Sequence, residues 1–180
     1  MCRYAMIAYK PHFACFRCRK TFKRRLLGDI TDNNHPESKA AKCSDCGELM
    51  ADMGKDFKAP KKENIKEWKH LERLYAVGIT FHSCGCSGPG YIPKTTEQLI
   101  KHFEEIKQNY LEELNFWQTR VEPTTKQQID REKNKIWSYL YQLPNEIRPK
   151  KSAVKNQDAR EYWISRIKEV EQKIEQVKKC

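Results

Sequence analysis

Apolar residues recur at helical spacing over most of the chain beyond residue 60. Positions three and four apart form one stripe along a helix. This period runs through residues 61–78, 96–121, 125–143 and 158–178, and prolines or glycines follow the first three stretches. The pattern therefore predicts four helices, the first separated from the second by a short strand at residues 79–81 and a glycine-rich loop.

The predicted last helix has a narrow apolar face. Its apolar residues alternate strictly four and three positions apart, and Lys and Glu flank them. A helix with so little apolar surface needs a partner helix, as in a coiled coil. The simplest partner is the stretch at 96–121, in an antiparallel hairpin within the chain. A homodimer through the same face is the alternative.

The charge of the chain indicates a class of partner. The net charge is +11, the calculated pI is about 9.3 and the mean hydropathy is -0.89. Such a balance favours nucleic acid or an acidic protein. The apolar start of the chain is too short for a secretory signal, and glycines and prolines interrupt the uncharged residues 74–93. We therefore expect a cytoplasmic protein without a membrane partner.

Two cysteine pairs carry the strongest chemical signal. Cys15 and Cys18 form one C-x2-C motif, and Cys43 and Cys46 form another, with 24 residues between the pairs. Each motif directs two thiolates to one point, so two motifs supply the four ligands of a tetrahedral zinc site. In a reducing compartment, paired cysteines indicate metal binding before disulfides. We predict one structural Zn²⁺.

The sequences around these pairs resemble a zinc ribbon. The stretch "FACFRCRKTF" is similar to a first zinc knuckle between two strands, and "KCSDCGELMADMG" is similar to a second knuckle with its usual glycine, Gly47. Arg19 stands where the family usually has glycine. The resemblance covers about residues 12–58, and the remainder resembles uncharacterised bacterial zinc-ribbon proteins only in general style. It implies a β-hairpin unit built around the metal.

These patterns together predict an α+β protein. A small N-terminal zinc-ribbon β-hairpin unit precedes a mainly helical region with a long antiparallel helical hairpin. Changes in charge and periodicity divide the chain into residues 1–60 (zinc ribbon), 61–95 (connecting helix and Gly/Cys-rich loop) and 96–180 (helical hairpin or bundle).

A third group of potential ligands lies in the uncharged segment. His82, Cys84 and Cys86 alternate, so an extended chain would present all three on one face. They are a candidate second metal site, completed by water or by Cys2, His70 or His102. Alternatives are simple packing of small side chains, catalysis by a reactive metal or thiol, and anion binding by the glycine loop.

Basic and aromatic residues alternate around the first cysteine pair. Cations neutralise phosphates and exposed aromatic rings stack on unpaired bases. The alternative is that the phenylalanines form a small core beneath a solvated basic rim. The candidate nucleic-acid-binding residues are Arg17, Arg19, Lys20, Lys23, Arg24 and Arg25.

These features favour a zinc-binding, non-catalytic adaptor that contacts nucleic acid. Two other functions stay open at this point. One is a metal- or thiol-dependent enzyme that uses His82, Cys84 and Cys86. The other is a structural protein–protein interaction module that binds through its helical face.

Overall fold

The computed structural model describes residues 10–24, 40–83, 88–149 and 152–179. The chain forms two compact units, Met1–Leu99 with Gln176–Cys180 and Ile100–Glu175. A three-stranded sheet lies near the N-terminus, and the rest of the described chain is mainly helical. The predicted α+β class is therefore confirmed. The division at residues 60 and 95 stays a prediction.

The sheet of the first unit is antiparallel and small. Strands β1 (His12–Cys15), β2 (Lys20–Lys23) and β3 (Ala51–Gly54) lie in the order β2-β1-β3. The β1–β2 hairpin pairs Cys15 with Lys20, which sets the first cysteine motif in its turn. Because β1 is central, its last two residues are buried, whereas β2 is an exposed edge strand along its whole length.

Residues 79–81 do not form the regular strand that the pattern predicts. The segment instead joins the end of β3 through two hydrogen bonds, from Phe81 N to Met53 O (2.8 Å) and from Asp56 N to Phe81 O (3.2 Å). Between these bonds, Gly54 has φ +87°, and a Cβ there would lie 2.6 Å from the backbone N of His82. The close approach of the two backbones therefore requires glycine.

Helix α1 (Ile65–Ala76) lies in the first unit and contacts Phe16 in the turn of the hairpin. The Asn64 side chain caps it by accepting a hydrogen bond from Glu67 N at 3.3 Å. Its buried side chains are Trp68, His70, Leu71 and Leu74. Ile65 and Tyr75, which the apolar period also includes, are 51% and 40% exposed. The buried face is therefore narrower than the sequence indicates.

Helices α2 (Thr96–Thr119) and α5 (Asn156–Lys179) pair antiparallel. Lys107 Nζ lies 2.5 Å from Glu171 Oε1. One turn farther along α2, the Tyr110 ring lies 5.2 Å from the ring of Trp163, which precedes Glu171 on α5. As the residue number rises along α2, that of the contacting residue on α5 falls, so the two helices run in opposite directions. The predicted antiparallel hairpin is confirmed.

The helix predicted at residues 125–143 is broken in two. Helix α3 (Lys126–Lys135) begins at a capping box formed by Thr125 and Gln128, and α4 (Trp137–Gln142) follows Ile136. Ile136 is buried in the core of the second unit, whereas α3 has no buried side chain. A short 3-10 helix (Asn145–Ile147) comes next. No helix in the described ranges has both the length and the apolar character to cross a bilayer.

One acidic side chain is buried in the helical unit. Glu113 on α2 is 9% exposed, and its Oε1 accepts a hydrogen bond from Gln142 Nε2 at 2.7 Å. Its Oε2 has no hydrogen-bond partner within the described part of the chain. Burial raises the pKa of Glu113 above its usual value of 4.5. The ionised carboxylate is thus disfavoured in the folded protein.

We expect Glu113→Gln to stabilise the protein at pH 7 by about 1 kcal/mol, because the variant keeps the oxygen bonded to Gln142 and cannot ionise. The folded-state pKa is raised, so wild-type stability falls as pH rises through the window that starts near 4.5. The advantage of the variant should therefore vanish at pH 4. Urea unfolding at both pH values measures it.

The exposed Glu104→Gln on the same helix is the matched control, since it makes the same charge change in water. It should change the free energy of unfolding little at either pH. A destabilised Glu113→Gln variant at pH 7 would contradict the account, because it would mean that the folded protein benefits from the ionised carboxylate.

Candidate metal centre

The first cysteine motif lies in the turn of the β1–β2 hairpin. Cys15 ends β1 and Cys18 lies in the turn that leads into β2. The backbone N–H of Cys18 donates a hydrogen bond to Cys15 Sγ at 3.4 Å. Arg19, the next residue, has φ 51°. The turn therefore adopts the left-handed backbone for which zinc ribbons usually supply glycine, with arginine in that position.

The second motif forms a matching turn before β3. Cys43 N donates to Glu48 O and Gly47 N donates to Cys43 O, both at 2.9 Å. Gly47 has φ +73°, which explains the glycine that follows Cys46 in the sequence. An isolated bridge between Lys42 and Leu49 closes the loop.

The two turns bring four sulfur atoms together. The Sγ atoms of Cys15, Cys18, Cys43 and Cys46 all lie within 4.8 Å of one another, and the Sγ atoms of Cys15 and Cys46 are 3.6 Å apart. A zinc tetrahedron with Zn–S distances of about 2.3 Å has edges of about 3.8 Å. Among the described residues, this is the one group of potential ligands close enough to share an ion. Its geometry and donor set fit Zn²⁺.

Backbone hydrogen bonds distinguish one thiol from the others. The backbone N–H groups of Cys46 and Asp45 lower the pKa of Cys43 to about 7. The pKa of Cys18 rises to about 12, first through its hydrogen bond with Cys46, and burial raises the pKa of Cys15. Because zinc binds thiolates, metal binding to this group releases protons.

Little apolar packing surrounds the four sulfurs. The buried cluster consists of Cys15, Cys43, Ala41 and Met50, and Phe13 packs partly against it. On the outer side of the first turn, the Phe16 ring lies 5.8 Å from the Tyr75 ring and 6.5 Å from the Trp68 ring of α1. Two of the four buried residues in this core are therefore the ligands themselves.

Acidic residues of the second turn pair with basic residues of the first. Arg17 Nη1 lies 2.7 Å from Glu48 Oε1, and Lys20 Nζ lies 2.7 Å from Asp45 Oδ1. Both pairs are exposed, so each contributes little to stability. The pairing partly neutralises two predicted nucleic-acid-binding residues. Sequence reasoning missed it, because the acids lie more than 20 positions away from their partners.

Strand β2 and the residue after it form a basic edge (residues 20–24), which contains two of the remaining predicted binding residues, Lys23 and Arg24. Lys23 and Phe22 are exposed, and the Phe22 ring stacks on Phe13 with centroids 5.7 Å apart. Arg24 N donates to Pro11 O at 3.2 Å, which extends the hairpin by one pair. Arg25 lies outside the described residues. The prediction that these residues bind nucleic acid stays a prediction.

The candidate second metal site is described only in part. His82 Nδ1 lies 2.9 Å from Thr80 Oγ1, and His82 Nε2 lies 3.3 Å from Asp52 Oδ1. Both ring nitrogens thus have partners in the first unit. Cys84 and Cys86 lie outside the described residues, so this site stays a prediction.

Of the three residues predicted as a further ligand for that site, His70 and His102 are described and Cys2 is not. His70 is buried on α1, and its Nε2 lies 2.9 Å from Pro93 O. The ring of His102 lies on α2, 5.9 Å from that of Phe103. Cys2 lies outside the described residues. His70 is thus already engaged in joining α1 to the loop before α2.

Comparisons with known proteins add no relative. The sequence matches no known protein family, no curated protein and no solved structure. The four-cysteine group, compatible with a zinc-ribbon-like site, is therefore the feature from which a function has to be argued.

Proposed function

We propose that this protein is a zinc-stabilised, non-catalytic adaptor that contacts single-stranded nucleic acid through its basic edge. The observation that carries the proposal is an edge strand with four exposed residues, directly after the first cysteine turn, that presents Lys23 beside the exposed ring of Phe22. In this proposal the metal fixes the position of β2, and β2 contacts the nucleic acid.

The four cysteines favour a structural ion over a reactive one. Cys15, Cys18, Cys43 and Cys46 would fill all four positions of tetrahedral zinc, and a catalytic zinc keeps one position for water or substrate. The bound ion would hold the two turns together and fix the start of β2.

The composition of the basic edge suits a phosphate backbone with unpaired bases. No ion pair of Lys23 occurs within the described residues, so its charge is available to a phosphate. Phe22 is 38% exposed and its ring stacks on that of Phe13, its partner across the strands, which leaves exposed ring surface on which a base can stack. These contacts depend on the phosphate charge and on the base ring, which all nucleotides share. We therefore expect the protein to have only a weak preference for nucleotide sequence.

Reversing charge on this edge should weaken binding strongly. We expect Lys23→Glu/Arg24→Glu to weaken binding of a mixed-sequence single-stranded oligonucleotide by about tenfold or more, and to flatten its salt dependence. Fluorescence anisotropy of a labelled oligonucleotide at several salt concentrations measures both effects.

The matched control is Lys66→Glu/Lys69→Glu on the exposed face of α1, which makes the same change in net charge away from the edge. It should weaken binding far less. Equal losses in the two variants would mean that net charge alone attracts the oligonucleotide. Wild-type affinity that does not change with salt would contradict the phosphate contact.

A further inference from the structure

The helical unit contains a cavity that the proposed adaptor function does not use. It has a volume of about 500 Å³ and lies among α3, α4 and the segment that precedes α5. Small-molecule sites are commonly about 300–1,000 Å³ and mostly apolar. The apolar part of its wall consists of Ile129, Ile136, Trp137, Leu140, Pro149, Ala153 and Val154. We propose that this cavity binds a small anionic molecule with an apolar body.

One arginine of the wall is structural. Arg120 forms two hydrogen bonds with the Glu132 carboxylate, at 2.8 and 2.7 Å, and its side chain is 4% exposed. Its Nη1 also donates to Val154 O at 2.9 Å and to Asn156 Oδ1 at 2.7 Å. Arg120 therefore joins α3 to the start of α5. Its guanidinium is already hydrogen-bonded within the protein, and the Glu132 charge is already paired.

A second arginine lacks such a partner. Arg148 lines the same cavity, and no carboxylate pairs with it within the described residues. Its guanidinium donates to Asn145 Oδ1, but its Nε is buried and has no hydrogen-bond partner there. The Nε atom is closed to the cavity, so a ligand would meet the terminal nitrogens of the guanidinium, whose planar fork suits a carboxylate, sulfonate or phosphate. Arg148 is thus the group that would receive an anion.

The charge of the whole wall points the same way. Among the described residues of the wall, Glu132 is the single acidic one and is already paired with Arg120, which leaves the charge of Arg148 without a carboxylate there. Trp137 is 63% exposed although it lines an apolar cavity. An aromatic ring with so much exposed surface gains by being covered. A ligand that is both apolar and anionic satisfies the ring and the guanidinium together.

The test uses two dyes that share an aromatic body and differ in charge. Anilinonaphthalene sulfonate carries the anion, and phenylnaphthylamine lacks it. We expect the sulfonate to bind saturably, one molecule per chain, with an increase in dye fluorescence. Arg148→Gln should weaken that binding by about tenfold or more, because it removes a charge-assisted hydrogen bond. The uncharged dye should bind the wild type more weakly and should not distinguish it from the variant.

Two further variants distinguish binding in the cavity from non-specific binding of the dyes to the protein surface. Arg131→Gln, on the exposed surface of α3 and outside the cavity wall, makes the same charge change and should leave both affinities unchanged. Ala153→Phe places a ring in the cavity and should weaken binding of both dyes, with circular dichroism to verify folding.

Three results would overturn the proposal. They are equal sulfonate affinity in wild type and Arg148→Gln, equal affinity of wild type for the two dyes, and no saturable binding of the sulfonate dye. The first would place the dye elsewhere on the protein. The second would mean that the cavity selects only for apolar surface, and the third that it takes no ligand of this class.

Discussion

Removing the metal is expected to unfold the chain around the four cysteines while the helical hairpin stays folded. After treatment with a strong chelator, the backbone amides of β1 and β3 should lose their protection from hydrogen exchange. The protected amides in the middle of α2 and α5 should keep theirs, because these helices pack through side chains such as Tyr110 and Trp163.

The size of the effect follows from how little apolar packing holds the two cysteine turns. A small polar segment obtains about 3–5 kcal/mol from its core at most. Zinc binding to thiolates contributes about 10–16 kcal/mol. The buried cluster beside the strands contains two small or flexible side chains, Ala41 and Met50, besides Cys15 and Cys43. The free energy of zinc binding is thus several times larger than the free energy that apolar burial contributes here.

Mass spectrometry of deuterium uptake, by segment, measures this result. The helical segments are the control within the same molecule, and metal analysis verifies that the ion has been removed. Cys43→Ser/Cys46→Ser should reproduce the loss of protection without chelator. Unchanged protection of β1 and β3 in verified metal-free protein would contradict a structural role for the ion.

Gly54→Ala is expected to destabilise the first unit by about 2–5 kcal/mol. The left-handed backbone costs a non-glycine residue about 1–2 kcal/mol, and overpacking adds about 1–3 kcal/mol. The new Cβ would lie 2.6 Å from backbone atoms of Phe81 and His82, which cannot rotate away as a flexible side chain can. The variant must therefore separate residues 81–82 from the end of β3.

Gly78→Ala is the matched control for this prediction. Gly78 has φ +82°, and nothing lies within 4 Å of the Cβ it would gain, so only the backbone term applies. Hydrogen exchange of the Phe81 amide, which bonds to Met53 O, compares the two variants at the contact itself. The contact would be disproved if both substitutions lowered the free energy of opening equally.

The cysteine chemistry of the first unit could be predicted because ligand spacing is local. A C-x2-C motif largely fixes its own turn, so Cys15, Cys18, Cys43 and Cys46 could be grouped before any coordinates. The antiparallel pairing of α2 and α5 also followed from the sequence, since a narrow apolar face needs a matching one. Gly47 was identified from its place after Cys46, and its positive φ gives the reason.

Features that depend on distant residues could not be predicted in this way. The ion pairs of Arg17 and Lys20 join residues 31 and 25 positions apart, which no local pattern relates. The break at Ile136 lies within an unbroken apolar period, and only the backbone of that residue, with φ −106° and ψ 22°, reveals it. The cavity lies between α3, α4 and the residues that Arg120 bonds, which are far apart in the sequence. No local pattern could therefore predict it.

Zinc-edge X-ray absorption of the reduced protein, in a Cys84→Ser/Cys86→Ser background, tests the central claim most directly. That background removes both thiols of the candidate second site, so the signal reports on Cys15, Cys18, Cys43 and Cys46. We predict one zinc per chain with four sulfur neighbours at about 2.3 Å. A shell with oxygen or nitrogen in place of any of these sulfurs, or protein folded without metal, would contradict the account.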